Sequence, residues 1–444
     1  MSFPRYPKYK ASGVEWLGDV PEGWEVVPFK HRCSRYALYG ANMSSDEYVS
    51  DGVRFLRTTD ISENGELEPD GVFVNSEVAR EYLLKDKDIL ISRSGTIGRA
   101  FVFAADIHPE CAYAGYLVRF VPTRQLNSRL FFYFTKSAAF SDWLQTQLIF
   151  STIGNVNGQK YAQCRLTLPP LPEQTAIAEF LDRETGKIDE LVAEQRRLME
   201  LLKEKRQAVI SHAVTKGLNP HAPMKPSGIE WLGDVPEHWE TRTIAKASSK
   251  ITNGYVGPTR DILVESGTPY IQATHIKKGR VNFDDGYFVT PEWSKSHAKS
   301  ILAEDDVLIV QTGAGTGDIG LVSRSEVGFN CHALIIVASL KDLLSGAFLS
   351  AVLQSDYGHQ KLESIQTGGM HPHLNCGNVK FIEIPMPPVV EQQAIVTFIA
   401  NELSKFDTLT AEAQRAIDLL QERRTALISA AVTGQIDVRQ QNRN

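Results

Sequence analysis

Leu168–Leu218 reads LPPLPEQTAIAEFLDRETGKIDELVAEQRRLMELLKEKRQAVISHAVTKGL, and Met386–Ile436 reads MPPVVEQQAIVTFIANELSKFDTLTAEAQRAIDLLQERRTALISAAVTGQI. The second copy lies 218 residues after the first (386 − 168) without a gap, and 24 of the 48 positions 168–215 are identical to their counterparts. Each copy opens on prolines and then Glu-Gln, which suits the first turn of a helix: proline needs no N–H partner there, and an acid complements the positive end of the dipole. No proline follows until Pro220 in the first copy, and none follows in the second. Apolar residues recur at spacings of four and three: Ile177, Leu181, Ile188, Leu191, Leu198, Leu202 and Val209, then Ile395, Ile399, Phe406, Leu409, Ala413, Ala416, Leu420 and Leu427. This is a heptad seam rather than a strand pattern. About 42 residues at roughly 1.5 Å each make a rod of about 63 Å.

A helix that long with one apolar stripe needs a partner, and its own repeat is at hand. Two seam slots are polar in both copies, Glu184 with Glu402 and Lys205 with Arg423. Antiparallel pairing brings Glu184 towards Arg423 and Lys205 towards Glu402, whereas parallel pairing sets like charges together. The expectation is an antiparallel pair. Polar slots at exposed ends would explain the same residues without any pairing. Gly186, where the second copy has Ser404, is a place where the first rod could bend.

A second repeat precedes each body. Ser12–Glu25, SGVEWLGDVPEGWE, returns as Ser227–Glu240, SGIEWLGDVPEHWE, 215 residues later (227 − 12), with 12 of 14 positions identical. The segment is too irregular for a helix or a strand. Trp16, Trp24, Trp231 and Trp239 read as packing anchors or, alternatively, as a docking surface for another subunit. Residues 219–226, NPHAPMKP, read as a linker that ends the first rod.

The chain is therefore cap, variable body, rod, then the same again. The bodies, 31–167 and 241–383, share a skeleton but few residues. Phe55–Ile61 aligns with Tyr270–Ile276, and Asp88–Ser92 with Asp306–Val310; both pairs read as short buried strands. The second pair runs into glycine-rich turns, Arg93–Gly98 and Gln311–Gly320. Short helices are expected around Ser128–Gln147 and Asp342–Gln360. The fold class is α+β, mostly antiparallel, with two mixed α/β domains joined by two long antiparallel coiled-coil helices. The expected bounds are 1–170, 171–222, 223–388 and 389–444.

The 444 residues have a formal net charge of −6, so nothing global drives the chain towards nucleic acid or acidic membrane. Five widely spaced cysteines read as reduced cytosolic thiols rather than a disulfide framework. No signal-peptide core opens the chain, and no apolar run reaches membrane-spanning length.

Catalytic chemistry is sparse. Gly315-x-Gly317-x-x-Gly320 matches a dinucleotide fingerprint in letters only, because no helix is expected after it. His371-x-His373-x-x-Cys376 has metal-like spacing but lacks a fourth ligand, and a loop offering His, Asn and backbone to a ligand fits it better. Cys111 and Cys331 read as buried small residues. Lys203–Arg206 reads as a solvated helix face.

What remains is a set of polar residues on loops beside the strands. In the first body these are Arg57, Thr58, Thr59, Arg93, Ser94, Thr96, Asn155, Asn157, Gln159 and Lys160. In the second they are Gln272, Thr274, His275, Lys277, Lys278, Gln311, Thr312, His371, His373 and Asn375. Such side chains can bond base edges or phosphates. A solvated loop explains any one of them equally well; only their recurrence at matching places in both bodies lifts such binding above background.

Two variable bodies, each followed by Pro-Pro-x-x-Glu-Gln and a long helix ending Ala213-Val214-Thr215 or Ala431-Val432-Thr433, resemble the DNA specificity subunit of Type I restriction–modification systems. Asp88-Ile89-Leu90 before a Gly-x-x-Gly turn is similar to the target recognition domains of that family, and the segment before each body fits it too. The resemblance covers nearly the whole chain. It implies a non-catalytic, cytoplasmic subunit whose two domains each read one half of a split, asymmetric double-stranded DNA target, with the helices as spacer and as seat for methyltransferase subunits. It implies S-adenosylmethionine, ATP and magnesium on the methyltransferase and motor–nuclease restriction subunits, and no cofactor or metal in this chain. An adaptor holding two unlike proteins on a coiled-coil strut is the rival reading.

Overall fold

The structure is a computed structural model that describes residues 3–148, 154–284, 286–368 and 372–439. In the first body, alternating and β-branched runs form a four-stranded antiparallel sheet in the order Cys33–Tyr39, Leu117–Pro122, Ile89–Ser92, Ala100–Val102. Beside it, Val53–Leu56 pairs antiparallel with Val72–Val74 and parallel with Cys111–Tyr113. In the second body, the order Ser248–Asn253, Leu334–Ser339, Val307–Val310, Ile319–Leu321 repeats the first sheet, and two short strands from 276–281 extend it. Ile89–Ile91 and Val307–Val310 have no exposed surface, as expected for a central strand covered on both faces.

Each expected helical stretch divides in two. Ser128–Phe134 and Ala138–Gln147 are broken where the Ser137 side chain caps the second helix, and Gly346–Gln354 and Asp356–Ser364 are broken where Ser355 does the same.

The cap segments hold more structure than their composition suggested. Tyr9–Ala11 pairs with Asp19–Pro21, and Met224–Pro226 pairs with Asp234–Pro236. The end of the expected linker therefore belongs to the second cap. Trp24 and Trp239 are buried anchors, Trp16 is half-buried, and Trp231 is exposed with a left-handed backbone.

The long helices are Leu171–Lys216 and Val389–Val432. The chain divides into two units, one of residues 1–195 with 414–444 and one of residues 196–413. Each unit thus holds one body and parts of both helices. In the first unit Arg424 Nε donates to Asp189 Oδ1 at 2.9 Å; in the second, Arg206 pairs with Asp407. Each unit also joins the start of one helix to the end of the other: Thr167, just before the first helix, bonds Val432, and Gly217 lies against Glu391. The pairing is antiparallel in both. The register differs from the expected one: Asp189 and Asp407, Arg206 and Arg424 are counterparts in the two repeats. Glu184 instead bonds Lys187 and Arg183 on its own helix, and Glu402 bonds Lys405.

The seam also departs from a heptad. The covered stripe of the first helix is Ile177, Leu181, Thr185, Ile188, Val192, Gln195, Met199, Leu202, Arg206, Ile210 and Ala213, ten steps over 36 residues. That is the period of a straight helix. A strict heptad drifts about 20° per repeat from such a line, so Leu191 and Leu198 end up 44% and 41% exposed.

Gln174 and Gln392 lock each helix to its body. Gln174 Oε1 accepts from Asn127 N at 2.8 Å, and its Nε2 donates to Pro169 O and Gln125 O. Gln392 makes the counterpart bonds to Ser345 N, Pro387 O and Leu343 O. Both are buried. This accounts for the Glu-Gln pair: an amide is the one side chain that satisfies two carbonyls and an N–H at once.

Candidate nucleic-acid interface

In the first body three turns meet at one end of the main sheet. The turn after Val53–Leu56 holds Arg57, Thr58 and Thr59. Arg57 spends its fork on buried Asp60, with Nε to Oδ2 at 3.0 Å and Nη2 to Oδ1 at 2.7 Å, a bond that holds its guanidinium above its ordinary pKa. Thr58 Oγ1 lies 4.0 Å from where a Cβ on Gly95 would stand. The second turn, Arg93–Gly98, carries Ser94 and Thr96. It is closed by Ser92 Oγ donating to Thr96 O and by left-handed Gly95 and Gly98. The third segment joins it through Val156 N, which donates to Arg93 O at 3.0 Å.

Residues 155–160 divide by role. Asn157 caps the Gly158–Gln163 helix, accepting from Lys160 N at 2.9 Å, and Lys160 Nζ donates to Gln147 O. Asn155 and Gln159 face solvent.

The second body repeats this frame with other side chains. Leu374 N donates to Gln311 O at 2.9 Å, as Val156 does to Arg93, and Asn375 caps Cys376–Val379 as Asn157 caps its helix. Gln311, Thr312 and His373 come together: Thr312 bridges to His373, and Gln311 Nε2 lies 3.2 Å from His373 Nε2. Gln311 is buried, and its Oε1 has no partner. His275 takes the structural place of Asp60: its Nδ1 accepts from Gln272 N at 2.8 Å, and its ring packs on Phe283 and Tyr287. Thr274 is exposed beside it. Lys277 and Lys278 belong to a separate hairpin, whose Gly279 packs on Gln354. His371 lies outside the described residues.

The glycine-rich stretch of the second body is the tip of a hairpin between Val307–Val310 and Ile319–Leu321, so the dinucleotide context is absent. Among the described residues no group of three or more His, Cys, Asp or Glu could hold a metal; Cys376 Sγ donates to Asn253 Oδ1 instead. Burial pushes the Cys111 thiol up to about 11 and the Cys331 thiol up to about 12, which keeps both protonated and inert. Among the described residues no helix is long and apolar enough to cross a membrane.

The loop residues missed from sequence are Asp60, which consumes Arg57, and Tyr39. Tyr39 ends the first strand of its sheet, and its ring lies under the Arg93 guanidinium, 5.1 Å from centroid to Cζ. Fifty-four positions separate the two, and no local pattern joins them.

Known proteins share this architecture. The specificity subunit of the Type I restriction enzyme EcoKI from Escherichia coli is 22% identical over 435 residues, covering 94% of this chain and 90% of that one. The MjaVIII specificity subunit of Methanocaldococcus jannaschii is 21% identical over 448 residues, with 95% of each covered. Among solved structures, a chain from work on complex assembly and conformational transition of the type I R-M system superposes with a TM-score of 0.72 at 14% identity, over 93% of this chain and 98% of that one. The HsdS subunit from Thermoanaerobacter tengcongensis gives 0.54 at 14% identity, over 94% and 98%. The Type I restriction modification DNA specificity domain matches residues 39–198 and again 232–419. Matched twice over more than half its length, this chain belongs to that family as a specificity subunit of a Type I restriction–modification system.

Proposed function

We propose that each body reads one half of a bipartite, asymmetric double-stranded DNA target, and that this chain directs adenine methylation and restriction without catalysing either. One contrast carries the reading: the frame makes the same locking bonds in the two halves while the turns it presents differ. Gln174 and Gln392 make the same three bonds, yet the turn held by that frame offers Arg93 in one body and Gln311 in the other. Selection for folding alone has no reason to treat frame and turns so differently. Two readers of unlike half-sites on one scaffold require it.

Methyltransferase subunits take the exposed leucines of the helices as their seat. Leu191 and Leu409 are counterparts left outside the covered stripe, as are Leu201 and Leu419. S-adenosylmethionine sits on those subunits, and ATP and magnesium on them or on the motor–nuclease restriction subunits, all in the cytoplasm. The net charge of −6 suits a reader whose partners supply much of the phosphate contact.

The test is to replace residues 31–167 with the body of another specificity subunit and map methylated adenines in cells. One half of the target should change and the other stay. Two unchanged halves would refute the reading and favour the adaptor.

A further inference from the structure

Arginines around the turns of the first body are mostly consumed by the fold. Arg57 is bidentate to Asp60, Arg54 donates to the carbonyls of Glu68, Pro69 and Asp70, Arg99 donates to Ile61 O, and Arg119 pairs with Asp88. Arg93 differs. Its backbone is fixed on both sides, N donating to Tyr116 O at 2.9 Å and O accepting from Val156 N at 3.0 Å. Its guanidinium lies over the Tyr39 ring, and its side chain has no hydrogen bond or ion pair among the described residues; its Nε is buried without a partner, as are those of Arg54 and Arg119. Tyr39 is itself held, its Oη accepting from Gly158 N at 3.0 Å.

A fork that is positioned but unspent is prepared for something outside the chain. The ring covers one side of the guanidinium, and with Nε buried the two terminal Nη groups are the donors left for a ligand. Two parallel donors match the O6 and N7 acceptors of guanine in the major groove. Adenine presents a donor at N6 and would oppose one of them. A phosphate can accept the same fork, but such a contact carries no base preference, and that difference is what the test reads.

We propose that Arg93 reads the guanine of a G·C pair in the half-site of the first body, with Tyr39 as the positioning residue that fixes the plane of the fork. This deepens the DNA-reading function proposed above and rests on it. The second body has no equivalent fork: Gln311 stands at that place, with its Nε2 against His373.

The test uses the complex with its methyltransferase subunits and duplexes carrying each of the four base pairs at every position of the mapped target. Wild type should prefer G·C at one position of the half-site set by residues 31–167. Arg93→Ala and Arg93→Lys should reduce that preference by about tenfold to a hundredfold, leaving all other positions unchanged. Tyr39→Leu should reduce the same preference, and Tyr39→Phe, which keeps the ring but loses the bond from Gly158 N, should reduce it less. The half-site of the second body should be unaltered in every variant, which reports an intact fold. Equal weakening on all sequences in Arg93→Ala would mean a phosphate contact and overturn the assignment. So would a first half-site without a G·C preference. Failure of the body exchange to move either half-site would instead overturn the underlying function.

Discussion

Trp239 Nε1 donates to Glu391 Oε1 at 3.1 Å, and Trp24 makes the counterpart bond to Glu173 Oε1 at 3.3 Å. The two most repetitive motifs of the chain, the tryptophan-rich cap and the Glu-Gln helix start, therefore exist for each other. The indole needs an acceptor when buried, and the first turn of a helix favours an acid. Beside each Glu stands a buried Gln that ties the same turn to the body, and the predictions begin there.

Gln174→Ala should destabilise the first unit by about 1–3 kcal/mol, because it takes the partner from Asn127 N, Gln125 O and Pro169 O, the last of these in a buried bond. Gln392→Ala should cost the second unit as much. Denaturant melts of the single variants and wild type check this, and a loss below about 0.5 kcal/mol would contradict it.

The helix pair should show a modest, reciprocal charge coupling. A double-mutant cycle on Asp189 and Arg424, the partly covered pair of the first unit, should give about 0.3–1 kcal/mol. Exchanging the two charges, Asp189→Arg with Arg424→Asp, should recover stability that either single change loses. Additive single changes would show that the two side chains do not meet in solution.

Alkaline pH should act on the first unit through Lys136. Its Nζ donates to Glu63 O over the Phe132 ring, and burial pushes its pKa down to about 8 from 10.5. Between those values the unfolded chain holds a proton that the folded chain has shed. Stability therefore gains a contribution as pH rises through that window, and the contribution is absent below it. Lys136→Gln, the residue present at the counterpart position 354, should flatten the difference. Urea midpoints at about pH 7.5 and about pH 10 for both proteins measure it.

The spacing between half-sites should follow helix length. Four extra helical residues after Ala193, matched by four after Ala411, lengthen each helix by about 6 Å. The unread gap of the target should widen by about two base pairs at roughly 3.4 Å each. Methylated sites mapped in cells show the gap directly, and an unchanged gap would remove the helices from the role of ruler.

Much of this architecture was legible because a duplication reports on itself. Two copies of one helix with complementary charges indicated an antiparallel pair, and Asp88–Ser92 with Asp306–Val310 marked the central strands. The register was not legible, because it depends on which acid already has a partner on its own helix, as Glu184 has in Lys187. The heptad reading failed at Leu191 and Leu198 because four-and-three spacing in letters does not distinguish a period of 3.5 from 3.6 until the line is followed for several turns. Among the candidate loop residues, sequence named Arg57 and Arg93 together. Only the fold separates them, by placing a buried acid beside one and an aromatic ring beneath the other.

Each body enters and leaves its frame through a single two-stranded ladder. Glu25–Pro28 pairs with Arg165–Leu168, and Glu240–Thr243 with Glu383–Met386. The two ends of a body are therefore neighbours, and whatever lies between them is a cassette. Exchange at those four short strands replaces everything enclosed, and the incoming body has then to present its own backbone groups to Gln174 or Gln392. The body is thus the exchangeable unit of the chain, and the ladder at its base is the place where one can be removed and another joined.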